Sequence, residues 1–282
     1  MNVALAQIHS STDDPAGNLE RHLEAIERAR AAGAELVVFA ELSLSGYLVD
    51  DPRAWVDELL EPSVEAVRAA AGAMTVVVGT PWPHASGRAT NASVAITSEG
   101  VVGRQEKIYL QEYGGYTEGR RFARGERLQA MSIGGRRVAI LICADAWYPV
   151  LGYAARQAGA ELFLHPSASP VSGVSEEFAS DVAWKTINRA QALYHASPVV
   201  FVNHTGVDRA TRFWGGSSVV GPTGTELAQL DDAPQVHVVG IDHADTLTAR
   251  TLLPMADDDD TDLAIATTDA RRAGKPEKGA TQ

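Results

Sequence analysis

The sequence predicts an α/β protein built as a four-layer α-β-β-α sandwich. Three observations carry the prediction. Strand-length runs of apolar and β-branched residues recur along the chain, each bounded by Gly, Pro or Asn. Helical patterns with one apolar face lie between several of them. Some neighbouring runs are joined by hairpin turns instead, so the sheets are mixed and the helices are left to cover their outer faces.

Taken in order, NVALAQI (2–8) is the first strand. PAGNLERHLEAIERARAAG (15–33) is a helix with Leu19, Leu23, Ile26 and Ala29 on one face; it opens at Asp14-Pro15 and stops at Gly33. AELVVFAEL (34–42) is the next strand, and VDELLEPSVEAVRAAAG (56–72) the next helix. MTVVVGT (74–80) and NASVAIT (91–97) are strands, and VAITSEGVVGRQE (94–106) reads as a hairpin turning at Ser98-Glu99-Gly100. RRVAILIC (136–143) is a strand, YPVLGYAARQAGA (148–160) a helix with Pro149 near its start, and AELFLHP (160–166) a strand. A helix at 178–196 then precedes strands at 197–205, 216–222 and 235–242. The closing RRAGKPEKGATQ is expected to be a disordered tail.

Composition excludes several functions. The chain has 282 residues and is 45% hydrophobic, enough for a substantial core. A net charge of −12 argues against nucleic acid or an acidic membrane surface as partner. A single cysteine rules out an internal disulfide framework and thiolate-rich zinc sites. No apolar run approaches ~18 residues, and MNVALAQIHS reads as a strand and not a signal peptide. A cytoplasmic protein is expected. The acidic run Asp257 to Asp260 lacks the alternating ligands, Gly and later Glu of a calcium loop and reads as solvated surface.

Three residues at strand ends point to chemistry. The run RRVAILIC ends on Cys143, the one cysteine, and ADAWYP follows. A lone cysteine there is ordinarily an inert buried hydrophobe, but strand ends are also where open α/β layers place ligand sites. AELVVFAELSLSGY likewise runs apolar into Glu41, and a carboxylate at a buried strand end is costly unless paired or used. Lys107 follows the predicted hairpin. A thiol nucleophile needs a base. His165 and His204 also follow apolar runs and are candidates to pair with Cys143. The fuller set is Glu41 as base, Lys107 as oxyanion cation, and the N–H of Ala144 as second donor. Asp145 is expected to brace the turn without reacting.

FAELSLSGY, QEKIYL and LICADAW resemble, in order and spacing, the Glu–Lys–Cys triad motifs of the nitrilase, or carbon–nitrogen hydrolase, superfamily. The resemblance covers residues 1–265 as one domain, leaving 266–282 as the tail. It implies the four-layer sandwich, and it implies catalysis by Glu41, Lys107 and Cys143 through a thioester, with no metal or cofactor. It adds Glu118, in GYTEGRRFARGE, as a second glutamate that positions the lysine and substrate. The family usually has Pro before its first glutamate, where this chain has Ala40. ELSLSGYLVDD and KIYLQEYGGYTEGRRF resemble the glutaminase domain of glutamine-dependent NAD synthetases, while FWGGSSVVGP resembles stand-alone amidases.

The activity implied is hydrolysis of a small amide with release of ammonia or an amine. The alternatives are a nitrilase acting on a small nitrile, and a glutaminase-like subunit supplying ammonia to a partner synthetase. Tyr47, Tyr113, Arg120, Trp147 and Ser169 flank the motifs and are the expected substrate contacts, with Arg120 facing a substrate carboxylate. Trp184 and Trp214 are expected to be packing residues or interface anchors. The resemblance also implies a homodimer or higher homo-oligomer assembled through 148–160 and 178–196.

Overall fold

The computed structural model describes residues 1–113, 116–171, 179–256 and 265. The tail at 266–282 and the acidic run Asp257 to Asp260 lie outside the described residues.

The first half of the chain runs β1 (Asn2–Gln7), α1 (Pro15–Ala31), β2 (Leu36–Phe39), α2 (Pro52–Glu58), α3 (Leu60–Ala71), β3 (Thr75–Pro83), β4 (Ala89–Thr97) and β5 (Gly100–Glu106). Then come α4 (Glu118–Arg121), β6 (Phe122–Ala123), β7 (Ala130–Ile133), β8 (Arg136–Ile140), a 3-10 turn (Cys143–Trp147), α5 (Pro149–Gln157) and β9 (Leu162–Ser167). The chain continues through α6 (Ser180–His195), β10 (Val199–Asn203), β11 (Thr205–Asp208), β12 (Thr211–Trp214), β13 (Ser218–Val220), β14 (Glu226–Gln229), β15 (Gln235–Gly240) and α7 (His243–Leu252).

Two mixed sheets stack face to face. One has the order β15-β1-β2-β3-β4-β5, with β6 beside β4, and the other the order β14-β13-β10-β9-β8-β7. Strand alternation builds the layers. In β1 and β2, Val3, Leu5, Leu36 and Val38 face the other sheet and pack with Val138, Ile140, Leu164 and Val200. Their neighbours Ala4, Ala6, Val37 and Phe39 face α1 and α3 and pack with Ile26, Ala29 and Val67. Helices α5 and α6 cover the outer side of the second sheet. The result is the expected α-β-β-α order. No helix among the described residues is long and apolar enough to cross a membrane.

Local chemistry sets the boundaries. Asp14 caps α1 by accepting from the Gly17 N–H at 3.0 Å, and Pro15 supplies the first turn. The single helix expected over 56–72 is two, α2 and α3, with a break at Leu59. Pro62 explains it: it has no N–H to offer the Glu58 carbonyl one turn back, and its ring clashes there. The expected strand 136–143 stops at Ile140, because Cys143 adopts a left-handed backbone with φ of 47°. The β11–β12 hairpin and α7 were not expected; their short or weakly apolar segments carry little periodic signal.

Candidate active site

The three strand-end residues converge where the two sheets face each other. Glu41 lies just past β2, Lys107 directly follows β5, and Cys143 opens the 3-10 turn after β8. Lys107 is fully buried, as are Glu41 and Glu118. Its Nζ donates to Glu41 Oε1 at 2.6 Å and to Glu118 Oε1 at 2.8 Å. Glu118 is held in turn by the Tyr47 hydroxyl at 2.7 Å and the Gln111 N–H at 2.8 Å. Glu41 also accepts from Asn91 Nδ2 at 2.8 Å and, through Oε2, from the Ala168 N–H at 3.0 Å.

Two backbone positions are unusual. Leu42, after Glu41, and Cys143 itself are non-glycine residues in the left-handed region, with φ of 50° and 47°. Such conformations persist only where the surroundings fix them. Around Glu41 they are fixed densely. His204 Nε2 lies 2.5 Å from the Glu41 carbonyl oxygen, which accepts only, so this nitrogen carries the proton. On the other side, the Asn18 carbonyl fixes the proton on His22 Nδ1, and His22 Nε2 accepts from the Ser43 hydroxyl at 2.9 Å. Ser43 Oγ accepts the Gly79 N–H at 3.2 Å. A Cβ at Gly79 would stand 2.2 Å from the Leu42 nitrogen, so glycine is required for β3 to press this close. Burial lowers the pKa of His204 to about 4 and of His22 to about 3, so both are neutral donors or acceptors at pH 7.

Asp145 braces the Cys143 turn, as expected. Its buried carboxylate accepts from the N–H groups of Ile108 and Tyr109, at 3.1 and 2.7 Å, which ties the turn to the segment after Lys107. Burial raises its pKa to about 7 despite those bonds. From α6, Gln191 Nε2 donates to the Ala146 carbonyl at 2.5 Å.

The electrostatics divide the labour. Burial pushes the Cys143 thiol well above its usual range, and the Glu41 carboxylate adds to this; Lys107 and the Ala168 N–H work the other way. Burial alone would lower Lys107, but Glu118 and Glu41 hold it well above the ordinary lysine range, so it stays an ammonium. Burial raises Glu41 against the pull of Lys107, with Glu118 adding to the rise. A raised carboxylate is a stronger base than a free glutamate.

Cys143 opens onto a cavity of about 60 Å³. Ala144, Tyr113, Trp147 and Ser169 line it, while Tyr47 stands behind Glu118 as its support. Arg120 does not line it. On the short α4, Glu118 faces inward, and a residue two positions on points to the opposite side, so Arg120 is exposed. Trp184, expected as a packing residue or interface anchor, is buried and also forms a cavity wall. Trp214 stacks on Phe201 and donates to Ser169 Oγ at 3.1 Å. His165 is bonded to Asn188, and His204 supports Glu41 and not the thiol. Asn91, Gln111 and Ala168 were not anticipated, since their roles come from contacts across strands distant in sequence.

A model of the carbon–nitrogen hydrolase family matches residues 2–251. A protein of Mycobacterium tuberculosis (strain H37Rv) described as a hydrolase is 33% identical over 266 residues, covering 89% of this chain and 92% of that one. The glutamine-dependent NAD(+) synthetase of Thermotoga maritima is 30% identical over 79% of this chain, which spans 39% of that enzyme's length. Among solved structures, a carbon–nitrogen hydrolase from Helicobacter pylori G27 superposes with a TM-score of 0.84 at 23% identity, over 93% of this chain and 96% of that one. The amidase of Nesterenkonia sp. AN1 superposes with a TM-score of 0.75 at 27% identity, over 88% and 92%. That structure is of a glutamate-to-glutamine mutant showing covalent addition of the acetamide moiety of fluoroacetamide at the active-site cysteine. Sequence and fold agree that this chain belongs to the carbon–nitrogen hydrolase family, and it is a hydrolytic enzyme.

Proposed function

We propose that the protein is a cysteine-dependent amidase that cleaves a small non-peptide amide through a thioester. The observation that carries this reading is Lys107 Nζ bridging Glu41 and Glu118, fully buried, beside a cavity that exposes Cys143. A nucleophile, a base and an oxyanion cation meet there, which is what acyl transfer requires.

Cys143 Sγ bonds to the carbonyl carbon while Glu41 takes the thiol proton. The carbonyl π pair moves to oxygen, where the third Lys107 N–H and the Ala144 N–H receive the charge. The C–N bond then breaks, Glu41 gives its proton to the leaving nitrogen, and ammonia or an amine departs. Water attacks the thioester and gives a proton to Glu41. The C–S bond breaks, and the thiolate recovers that proton. Glu118 positions the lysine. The Nesterenkonia amidase, with its acetamide-bearing cysteine, supports the same role for Cys143.

Size bounds the substrate. The cavity beside Cys143 is small, about 60 Å³, which favours a short acyl chain. The likeness to NAD synthetases keeps glutamine in the test, but Arg120 is turned away from the site and is not a partner for its carboxylate. We place self-association on α5 and α6, which expose Val150, Val182 and Tyr194; a monomeric mass in solution would refute that. The test of activity is ammonia release by wild type and Cys143→Ala over short amides, their nitriles and glutamine. Release from a short amide that the variant loses supports the reading. Release from nitriles alone, or equal release by the variant, overturns it.

A further inference from the structure

The wall of the cavity opposite the triad has a chemistry of its own. Helix α6 is 16 residues long and begins at Ser180, which lines the cavity beside Cys143. Its cap residue is Ala179, so among the described residues no side chain caps the first N–H groups. Ser180 is only 6% exposed, and its hydroxyl has no hydrogen-bond partner among the described residues. Because Ser180 lines the cavity, a hydroxyl without a protein partner there is left to bond whatever occupies it.

Ser169 adds a second donor to the same wall. Its Oγ accepts the Trp214 indole N–H at 3.1 Å, which leaves the hydroxyl proton to be given elsewhere. The rest of the lining mixes the apolar Trp147, Trp184 and Pro170 with the polar Gln111 and Tyr113. The wall is therefore rich in donors. Near it, however, Glu41 and Glu118 bear two carboxylates against the one ammonium of Lys107. That balance disfavours a second anion in so small a space.

We infer that Ser180, with the start of α6 and Ser169, forms a subsite for an uncharged oxygen acceptor on the substrate, selecting short amides that carry a hydroxyl or carbonyl next to the scissile group. The inference rests on the amidase reading and names the substrate class for it. Such a subsite separates substrates by an oxygen more sharply than by a methyl, because a substrate lacking the oxygen leaves buried donors unpaired.

Three amides of similar size test it: lactamide, its methyl isostere isobutyramide, and the anionic malonamate. The readout is the ratio of kcat/KM values, which is insensitive to how much enzyme is folded. In wild type, lactamide exceeds isobutyramide by about tenfold, the worth of one good hydrogen bond, and malonamate falls below both. In Ser180→Ala the lactamide-to-isobutyramide ratio drops to within about twofold of one, and Ser180→Thr, which keeps the hydroxyl, restores it. A wild-type ratio near one, a ratio unmoved by Ser180→Ala, or malonamate as the preferred substrate overturns the subsite. Cysteine-dependent isobutyramide hydrolysis with such a ratio would leave the amidase reading standing and remove only the subsite. No cysteine-dependent release from any of the three overturns both.

Discussion

Two turns meet at the site, and they are built to different ends. Both follow a strand and both contain a non-glycine residue in the left-handed region, Leu42 in one and Cys143 in the other. The Glu41 turn is enclosed. Hydrogen bonds from Lys107, Asn91 and Ala168 hold its carboxylate, while His204 and the His22–Ser43–Gly79 chain hold its backbone. The Cys143 turn is braced from behind, by Asp145 and Gln191, and faces a cavity in front. On the proposed roles, the difference teaches that the base is fixed before any substrate arrives, whereas the nucleophile is the side left open to one. Pre-organised polar groups are what make such a site effective without rearrangement.

The comparison breaks most completely at the lysine. Lys107→Met leaves Glu41 and Glu118 buried without their shared cation, which typically costs 3–5 kcal/mol, or roughly 10 °C in melting temperature at this size. Turnover should fall by at least about 10²-fold, the loss typical of removing one oxyanion donor. A stable Lys107→Met protein with undiminished activity would show that the buried pair is neither structural nor catalytic. Gly79→Ala comes next. Its Cβ would meet the Leu42 nitrogen at 2.2 Å and the Ala40 oxygen at 2.4 Å, so the Glu41 turn must shift. A displacement of about 1 Å can cost on the order of 10²-fold in kcat; a rate within twofold of wild type would mean that the turn is not rigidly set.

Acid sharpens the contrast in a different way. Burial depresses His22 to about 3 and His165, His195 and His204 to about 4, below the unfolded value of 6.5. As pH falls below 6.5 the unfolded chain takes up protons that the folded one refuses, so stability is lost down to about pH 4. At pH 5 each histidine costs roughly 2 kcal/mol. Asp145, raised to about 7 by burial, acts in the opposite direction and offsets about one of the four. Urea midpoints should therefore fall steadily between pH 6.5 and 4.5, and a flat profile would contradict neutral buried histidines. The smallest effect is at Arg120. Exposed on α4 and absent from the cavity wall, it should tolerate Arg120→Ala with kcat/KM changed by less than about twofold. A tenfold rise in KM for an acidic amide would return it to the substrate.

What the sequence made legible follows from what is local. Glu41 and Cys143 could be found because each closes an apolar run at a strand end, Lys107 because it follows the predicted hairpin inside a motif that matches the family, and Glu118 because its position in GYTEGRRFARGE matches that family too. The break at Leu59 has a local signal too, in Pro62. Arg120 shows the limit of proximity in sequence: two residues from an inward Glu118 on a helical turn is the outward side. Asn91, His22 and His204 carried no local signal, because each reaches the Glu41 turn from another element. Ser180 was hidden for a related reason, since only the fold brings the start of α6 to the cavity.

The central claim is that Cys143 carries the acyl group between two half-reactions. Hydroxylamine tests it, because a thioester partitions between water and hydroxylamine without memory of the leaving group. The measurement is the hydroxamate-to-acid ratio from a primary amide and from an N-substituted amide of the same acid, at one hydroxylamine concentration. The account predicts the same ratio from both, with both products lost in Cys143→Ala. A ratio that changes with the leaving group, or products that survive in Cys143→Ala, would contradict it.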